Sequence, residues 1–146
     1  MVNPYSIKNL FMGKLLHGGD LLAELEKICS DKKIKTGILT AIGAVKNATV
    51  GFYNQTEKKY LKHQFDKPLE ILSLNGNISI KDDKTMVHAH IVLSDSEGNS
   101  FGGHLMPGTT IFACEFWIFE IEGELLIRGF DEVTGLPLWK NKKVPA

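Results

Sequence analysis

Three histidines carry the sharpest chemical signal in this sequence. His88-Ala89-His90 falls in a run, Thr85 to Ser94, that alternates in the manner of a β-strand. Side chains two apart on a strand point to the same face, and at about 3.3 Å per residue these imidazoles stand about 6.6 Å apart at their backbones. They can therefore converge on one ion, while Val87, Ala89, Ile91 and Leu93 form the opposite, core-facing side. His104 follows Phe101-Gly102-Gly103 after a short connection, and a hairpin would return it beside the first two. Three neutral imidazoles suit zinc or another divalent transition metal, and three protein ligands leave one position open for water or a bound molecule. The competing reading has the two strand histidines facing solvent and His104 making a local hydrogen bond. Gly102 and Gly103, which permit close backbone approach, are candidate ligand-binding residues beside His104.

Glu115 and Arg128 come next. Alternation puts Glu115 on a stripe with Ile111, Ala113, Trp117 and Phe119, where an ionised carboxylate would need a partner. It could ligate or orient a metal site, or act as a catalytic acid or base if the protein is an enzyme. Equally, it could form a structural ion pair with Arg128 on a neighbouring strand. An arginine beside an open metal position can also hold an anionic ligand. His17 and His63 have no comparable company. Gly18-Gly19 lacks the following Lys-Ser/Thr of a phosphate cradle. Cys29 and Cys114 lack redox or zinc spacing and read as buried thiols.

The elements that must position these residues are mostly strands. Asp20 can cap one helix in which Leu21, Leu25, Ile28 and Cys29 recur at helical spacing, ending near Asp31. Strand-like stretches cover roughly 5–16, 36–44, 47–54, 58–65, 69–80, 85–94, 99–105, 110–121 and 124–130, with turn residues between them. One helix cannot cover both faces of so many strands, so the sheet must curl on itself or bury its remaining apolar side against another subunit. The run Ile111 to Ile121 is apolar on both alternating faces and reads as a strand buried on both sides.

Composition bounds the partners. The 146 residues, 43% of them hydrophobic, suit one domain spanning 1–146. The 17 basic residues balance 17 acidic ones, so the chain as a whole offers no long-range attraction for DNA. Arg128 is the only arginine; the lysine clusters Lys32, Lys33, Lys35 and Lys140, Lys142, Lys143 read as solvated surface. No window reaches transmembrane length and no signal peptide is evident, so a cytoplasmic protein without a membrane partner is expected.

Taken in order, Ile42-Gly43-Ala44-Val45, Leu69 to Asn77, His88-Ala89-His90, Gly102-Gly103-His104-Leu105 and Ala113-Cys114-Glu115 closely resemble the plant-and-prokaryote-conserved (PPC) domain, over about Tyr5 to Leu138. The resemblance implies an α+β fold: a strongly bent, mixed but mainly antiparallel sheet with one main helix, assembled as a homotrimer. Plant members join this domain to an arginine-rich AT-hook that binds DNA; this sequence has no such segment. What transfers is association with DNA-associated protein partners more than direct DNA contact. The fold is also similar to that of acetolactate decarboxylase, where a His-x-His pair and a later histidine hold zinc, a likeness that carries over to His88, His90 and His104 alone. The sequence thus supports a homotrimeric binding or regulatory protein with a zinc site, DNA-associated by family resemblance. Its rival is a small zinc enzyme acting on an oxoacid or similar anion, with Glu115 as proton shuttle.

Overall fold

The computed structural model describes residues 2–140. Among the described residues, nine strands and one helix follow one another as β1 (Ser6–Lys14), α1 (Leu21–Asp31), β2 (Gly37–Asn54), β3 (Lys59–Phe65), β4 (Leu69–Lys81), β5 (Lys84–Ser94), β6 (Ser100–Leu105), β7 (Thr110–Glu122), β8 (Arg128–Phe130) and β9 (Pro137–Trp139). Asp20 caps α1 as its type predicts: Oδ1 accepts from the Ala23 N–H at 3.0 Å. Its other carboxylate oxygen accepts from the Gly108 and Thr109 N–H groups, tying the helix start to the turn before β7. Leu21, Leu25 and Cys29 recur on one stripe and are fully buried. Each such leucine contributes about 1.5–3 kcal/mol of burial.

The main sheet runs β1-β7-β2-β4-β5-β6, with β3 beside β2. It curls back on itself, because β6 also pairs with the far half of β2, closing the circuit β2, β4, β5, β6, β2. The expected mixture of directions is corrected: every ladder between strands is antiparallel, and parallel pairing among the described residues is confined to the Ile80–Ile127 bridge. The two stretches expected at 36–44 and 47–54 are one strand of 18 residues. Register shifts at Ala41/Gly43, Ala44/Val45 and Val45/Asn47 break the alternation that makes a single strand legible. Gly43, at φ +145°, occupies a backbone conformation that favours glycine, and there the Ala113 carbonyl oxygen would collide with any Cβ. The stretch expected at 124–130 contracts to β8, which pairs with β9 in a separate two-stranded hairpin.

One face of the main sheet packs under α1, with Leu39, Leu74, Ile78, Val87, Ile91 and Ile118 in a continuous core. The opposite face is apolar but open: Leu10, Met12, Ile38 and Ile42 are exposed, Met12 at 63%. Leu10 and Met12 pair in register with Phe119 and Trp117, and Ile38 also pairs with Phe119, so these residues share one surface. Within one chain, β7 is therefore buried on one side only. Its alternation also slips, since Ala44 opposes Ala113 while the next residue, Val45, opposes Ile111. Phe112 is left exposed and Ile111 joins Cys114, Phe116 and Ile118 in the core, while Ala113, Glu115, Trp117 and Phe119 keep the expected alternation but lie on the open face, so Glu115 is not buried. No helix among the described residues is long and apolar enough to cross a membrane.

Candidate metal centre

The triad follows from two ladders. His88 and His90 occupy alternate positions of β5, as the strand period requires, and their neighbours Val87, Ala89 and Ile91 enter the core. β6 returns antiparallel, setting His104 opposite His90. The closure of the sheet then places Gly51 of β2 on the other side of His104. Ring centroids lie 5.3 Å (His88–His90), 5.0 Å (His88–His104) and 5.6 Å (His90–His104) apart. One ring nitrogen from each lies within 4.8 Å of the others. In a tetrahedral zinc site such nitrogens stand ~3.4 Å apart, so small side-chain rotations suffice to close the group on an ion.

The state of the rings suits that role. Burial, then His104, Arg128 and His90, push the His88 pKa down to about 4. Burial, then His90 and Arg128, also lower that of His104. Both are held neutral, the form that ligates metal. His104 Nδ1 is buried without a hydrogen-bond partner, although Tyr60 stacks on its ring at 4.9 Å. A buried ring nitrogen lacking a partner carries a desolvation cost that a bound ion removes. The donor set therefore fits a transition metal.

Arg128 belongs to the same site but arrives there from the β8–β9 hairpin. It is 8% exposed. Nε donates to Ser79 Oγ at 2.7 Å, Nη1 to the Pro137 carbonyl at 2.8 Å and Nη2 to Asn77 Oδ1 at 2.7 Å. Nη2 also lies 3.4 Å from His88 Nδ1. Asn77 is the register partner of His88, so one cross-strand pair locates both the imidazole and the guanidinium's anchor. A cavity of about 710 Å³ opens over the triad, walled by Tyr53, Tyr60, Met86, Arg128 and the Leu136–Leu138 segment.

The other expectations sort plainly. Glu115 is exposed, opposite Ile42 and Lys14, and does not line the cavity. The expected Glu115–Arg128 ion pair is absent among the described residues. Gly103 lines the cavity, but both glycines serve the backbone: a Cβ on Gly103 would lie 2.7 Å from the Gly51 carbonyl oxygen, and one on Gly102 would strike that of Ile91. His63 is exposed, and exposed His17 sits with Nδ1 2.7 Å from the Phe112 carbonyl oxygen. Cys29 and Cys114 are free, buried thiols, pushed by burial up to about 12 and about 11. Lys142 and Lys143 lie outside the described residues. Tyr60, Asn77 and Ser79 escaped the sequence reading, because aromatic and small polar residues on strands carry no signal until the facing elements are known.

The profile of the Plants and Prokaryotes Conserved (PCC) domain matches residues 3–122. It stops short of β8 and β9. A metal-containing protein from Archaeoglobus fulgidus is 40% identical and superposes with a TM-score of 0.92 over 97% of this chain and 99% of its own. A plant- and prokaryote-conserved protein from Pyrococcus horikoshii is 32% identical, with a TM-score of 0.92 over 99% of each chain. Among curated proteins, a bifunctional GlmU protein from Synechococcus sp. (strain JA-3-3Ab) is 36% identical over 100 residues, 68% of this chain; the match spans 15% of that relative's length. Acetolactate decarboxylase from Bacillus subtilis shares the fold at 17% identity, with a TM-score of 0.56 over 85% of this chain and 56% of its own.

Proposed function

We propose that this chain, which belongs to the Plants and Prokaryotes Conserved domain family, is a homotrimeric, cytoplasmic, metal-dependent binding module that holds zinc at His88, His90 and His104. The observation that carries the reading is the convergence of one ring nitrogen from each of the three histidines within 4.8 Å, beside the buried, partnerless Nδ1 of His104. Zinc in such a site would supply a Lewis acid with an open position for an oxygen ligand. Around it the chain's own residues have definite tasks. Asn77 and Ser79 hold Arg128, Arg128 faces His88 Nδ1, and Tyr60 covers the His104 ring. Similarity to a metal-containing protein at 40% identity supports the site. The open apolar surface of Leu10, Met12, Ile38 and Ile42 supports assembly through that face.

Binding is favoured over acid-base turnover because no carboxylate among the described residues lines the cavity. Regulation through a DNA-associated protein is favoured over direct DNA contact. The sole arginine is buried in the site instead of being displayed for phosphate or groove contacts.

The test is elemental analysis of untagged protein purified without added metal, compared with a His88→Ala/His90→Ala variant. About one zinc per chain in the wild type and none in the variant is expected; equal, negligible metal in both would remove the proposal.

A further inference from the structure

Among the described residues, Arg128 is a buried cation without an acidic neighbour. Its guanidinium has five N–H donors; it meets Ser79 Oγ, the Pro137 carbonyl and Asn77 Oδ1, lies 3.4 Å from His88 Nδ1, and has Cζ 5.8 Å from the centre of the Trp139 ring, all neutral groups. No carboxylate of the described residues pairs with it. Lys81 lines the same cavity, so the wall carries two cations and, among described residues, no acid. Buried charge is ordinarily matched by an opposite one. A divalent ion on three neutral imidazoles would add a further two positive charges to this unbalanced field. No acid of the described residues supplies the missing charge, and an anionic occupant of the cavity would.

Chemistry narrows the occupant. Three of the five guanidinium N–H groups are committed to Ser79, Pro137 and Asn77, and a metal-bound neutral His88 cannot also accept at Nδ1, so one N–H on each of Nη1 and Nη2 is left for a ligand. Two N–H groups and a metal position match the two oxygens of a carboxylate, whereas a dianionic phosphate presents three oxygens that seek several more donors. The remaining wall is apolar and aromatic, with Phe52, Tyr60, Met86, Leu136 and Leu138 around a volume of about 710 Å³, which suits an organic body larger than acetate.

From this we infer that the cavity takes a small organic monocarboxylate with a planar or apolar body, whose charge lies between Arg128 and the ion held by the triad. The inference rests on the metal reading for one of its two anchors. It makes metal and carboxylate reciprocal ligands: each tightens the other by the same factor, because each relieves the charge imbalance the other faces. It also makes the β8–β9 hairpin, which lies beyond the matched 3–122 segment, the element that admits or rejects ligands, since it brings Arg128 and one wall of the cavity.

The experiment is a cobalt(II) titration of the full chain, followed by the metal's visible absorption, alone and with saturating benzoate, benzamide, acetate or inorganic phosphate. Benzoate is expected to tighten cobalt about tenfold, within the usual range of coupling between sites. Neutral benzamide should change it less than about twofold. Arg128→Gln should bring the benzoate effect down to the benzamide level, while circular dichroism checks its fold; the benzoate–benzamide contrast in wild type needs no variant. Stoichiometric cobalt binding that is indifferent to benzoate overturns this inference and leaves the metal reading standing. Phosphate or benzamide matching benzoate, or full coupling in a folded Arg128→Gln variant, also overturns it. No cobalt bound with or without benzoate sinks both.

Discussion

His104 on β6 and Gly51 on β2 are register partners across the ladder that closes the sheet, although 53 positions separate them in sequence. Tyr60, from the neighbouring β3, lies against both: it stacks on His104 at 4.9 Å, and its ring sits where a Cβ on Gly51 would fall. The β5–β6 hairpin delivers the third imidazole and the closure of the sheet fixes its other side, so binding an ion to it should feed back on the fold.

Added zinc should raise the melting temperature of metal-depleted protein, because a ligand bound only by the folded chain stabilises it by about 2.7 kcal/mol at a hundred times its dissociation constant. His104→Ala should abolish the rise while folding normally. Differential scanning calorimetry with and without zinc measures this; an equal rise in His104→Ala would mean that zinc binds elsewhere.

A charge placed on the open face should break assembly. Leu10→Glu/Met12→Glu changes two exposed residues that pair with Phe119 and Trp117, so one chain's core is untouched. Light scattering should give three times the 16.2 kDa chain for the wild type and a single chain for the variant. A wild-type monomer would dismiss the assembly outright.

Gly102→Ala should cost far more than Gly98→Ala. Gly98 has positive φ but open space around it, so alanine there should cost ~1–2 kcal/mol of strain. At Gly102 a Cβ meets the Ile91 backbone, which cannot step aside without opening the β5–β6 ladder. A loss of at least ~3 kcal/mol is expected in urea unfolding, at the upper end of what overpacking costs. Similar midpoints for the two variants would contradict the close approach.

Acid should expose the contribution of Asp95. Its carboxylate accepts from Lys67 Nζ at 2.9 Å and from backbone N–H groups of Glu97 and Asn99, and the Lys67 bond, with those of Asn99 and Glu97, holds its pKa down at about 2. A depressed carboxylate pKa means that the unfolded chain binds the proton first. The stabilisation is present above the ordinary value of 3.8 and is lost as pH falls from there through about 2. Urea midpoints of wild type and Asp95→Asn should therefore converge between pH 5 and pH 2. Parallel curves over that range would exclude the effect.

The sequence alone determined what depends on neighbouring residues. Period-two alternation put His88 and His90 on one face of β5, a hairpin return brought His104 beside them, helical spacing and Asp20 marked α1, and the surplus of strands over helices called for a curled sheet or a second subunit. These follow from backbone geometry repeated over a few residues. The ordered motifs likewise sufficed for the family, whose profile covers 3–122.

Only the tertiary structure decided the rest. Glu115 is exposed because the stripe it shares with Ala113, Trp117 and Phe119 lies on the face that α1 does not cover, and alternation alone does not tell which of two apolar faces the core takes. Arg128 reaches His88 through a hairpin that returns over β4, 40 positions away, and finds Ser79 and Asn77 in place of the acid expected for it. Which distant surfaces meet is set by the packing of the whole sheet, and that packing set beside the histidine triad a buried cation that no acid of the described residues matches.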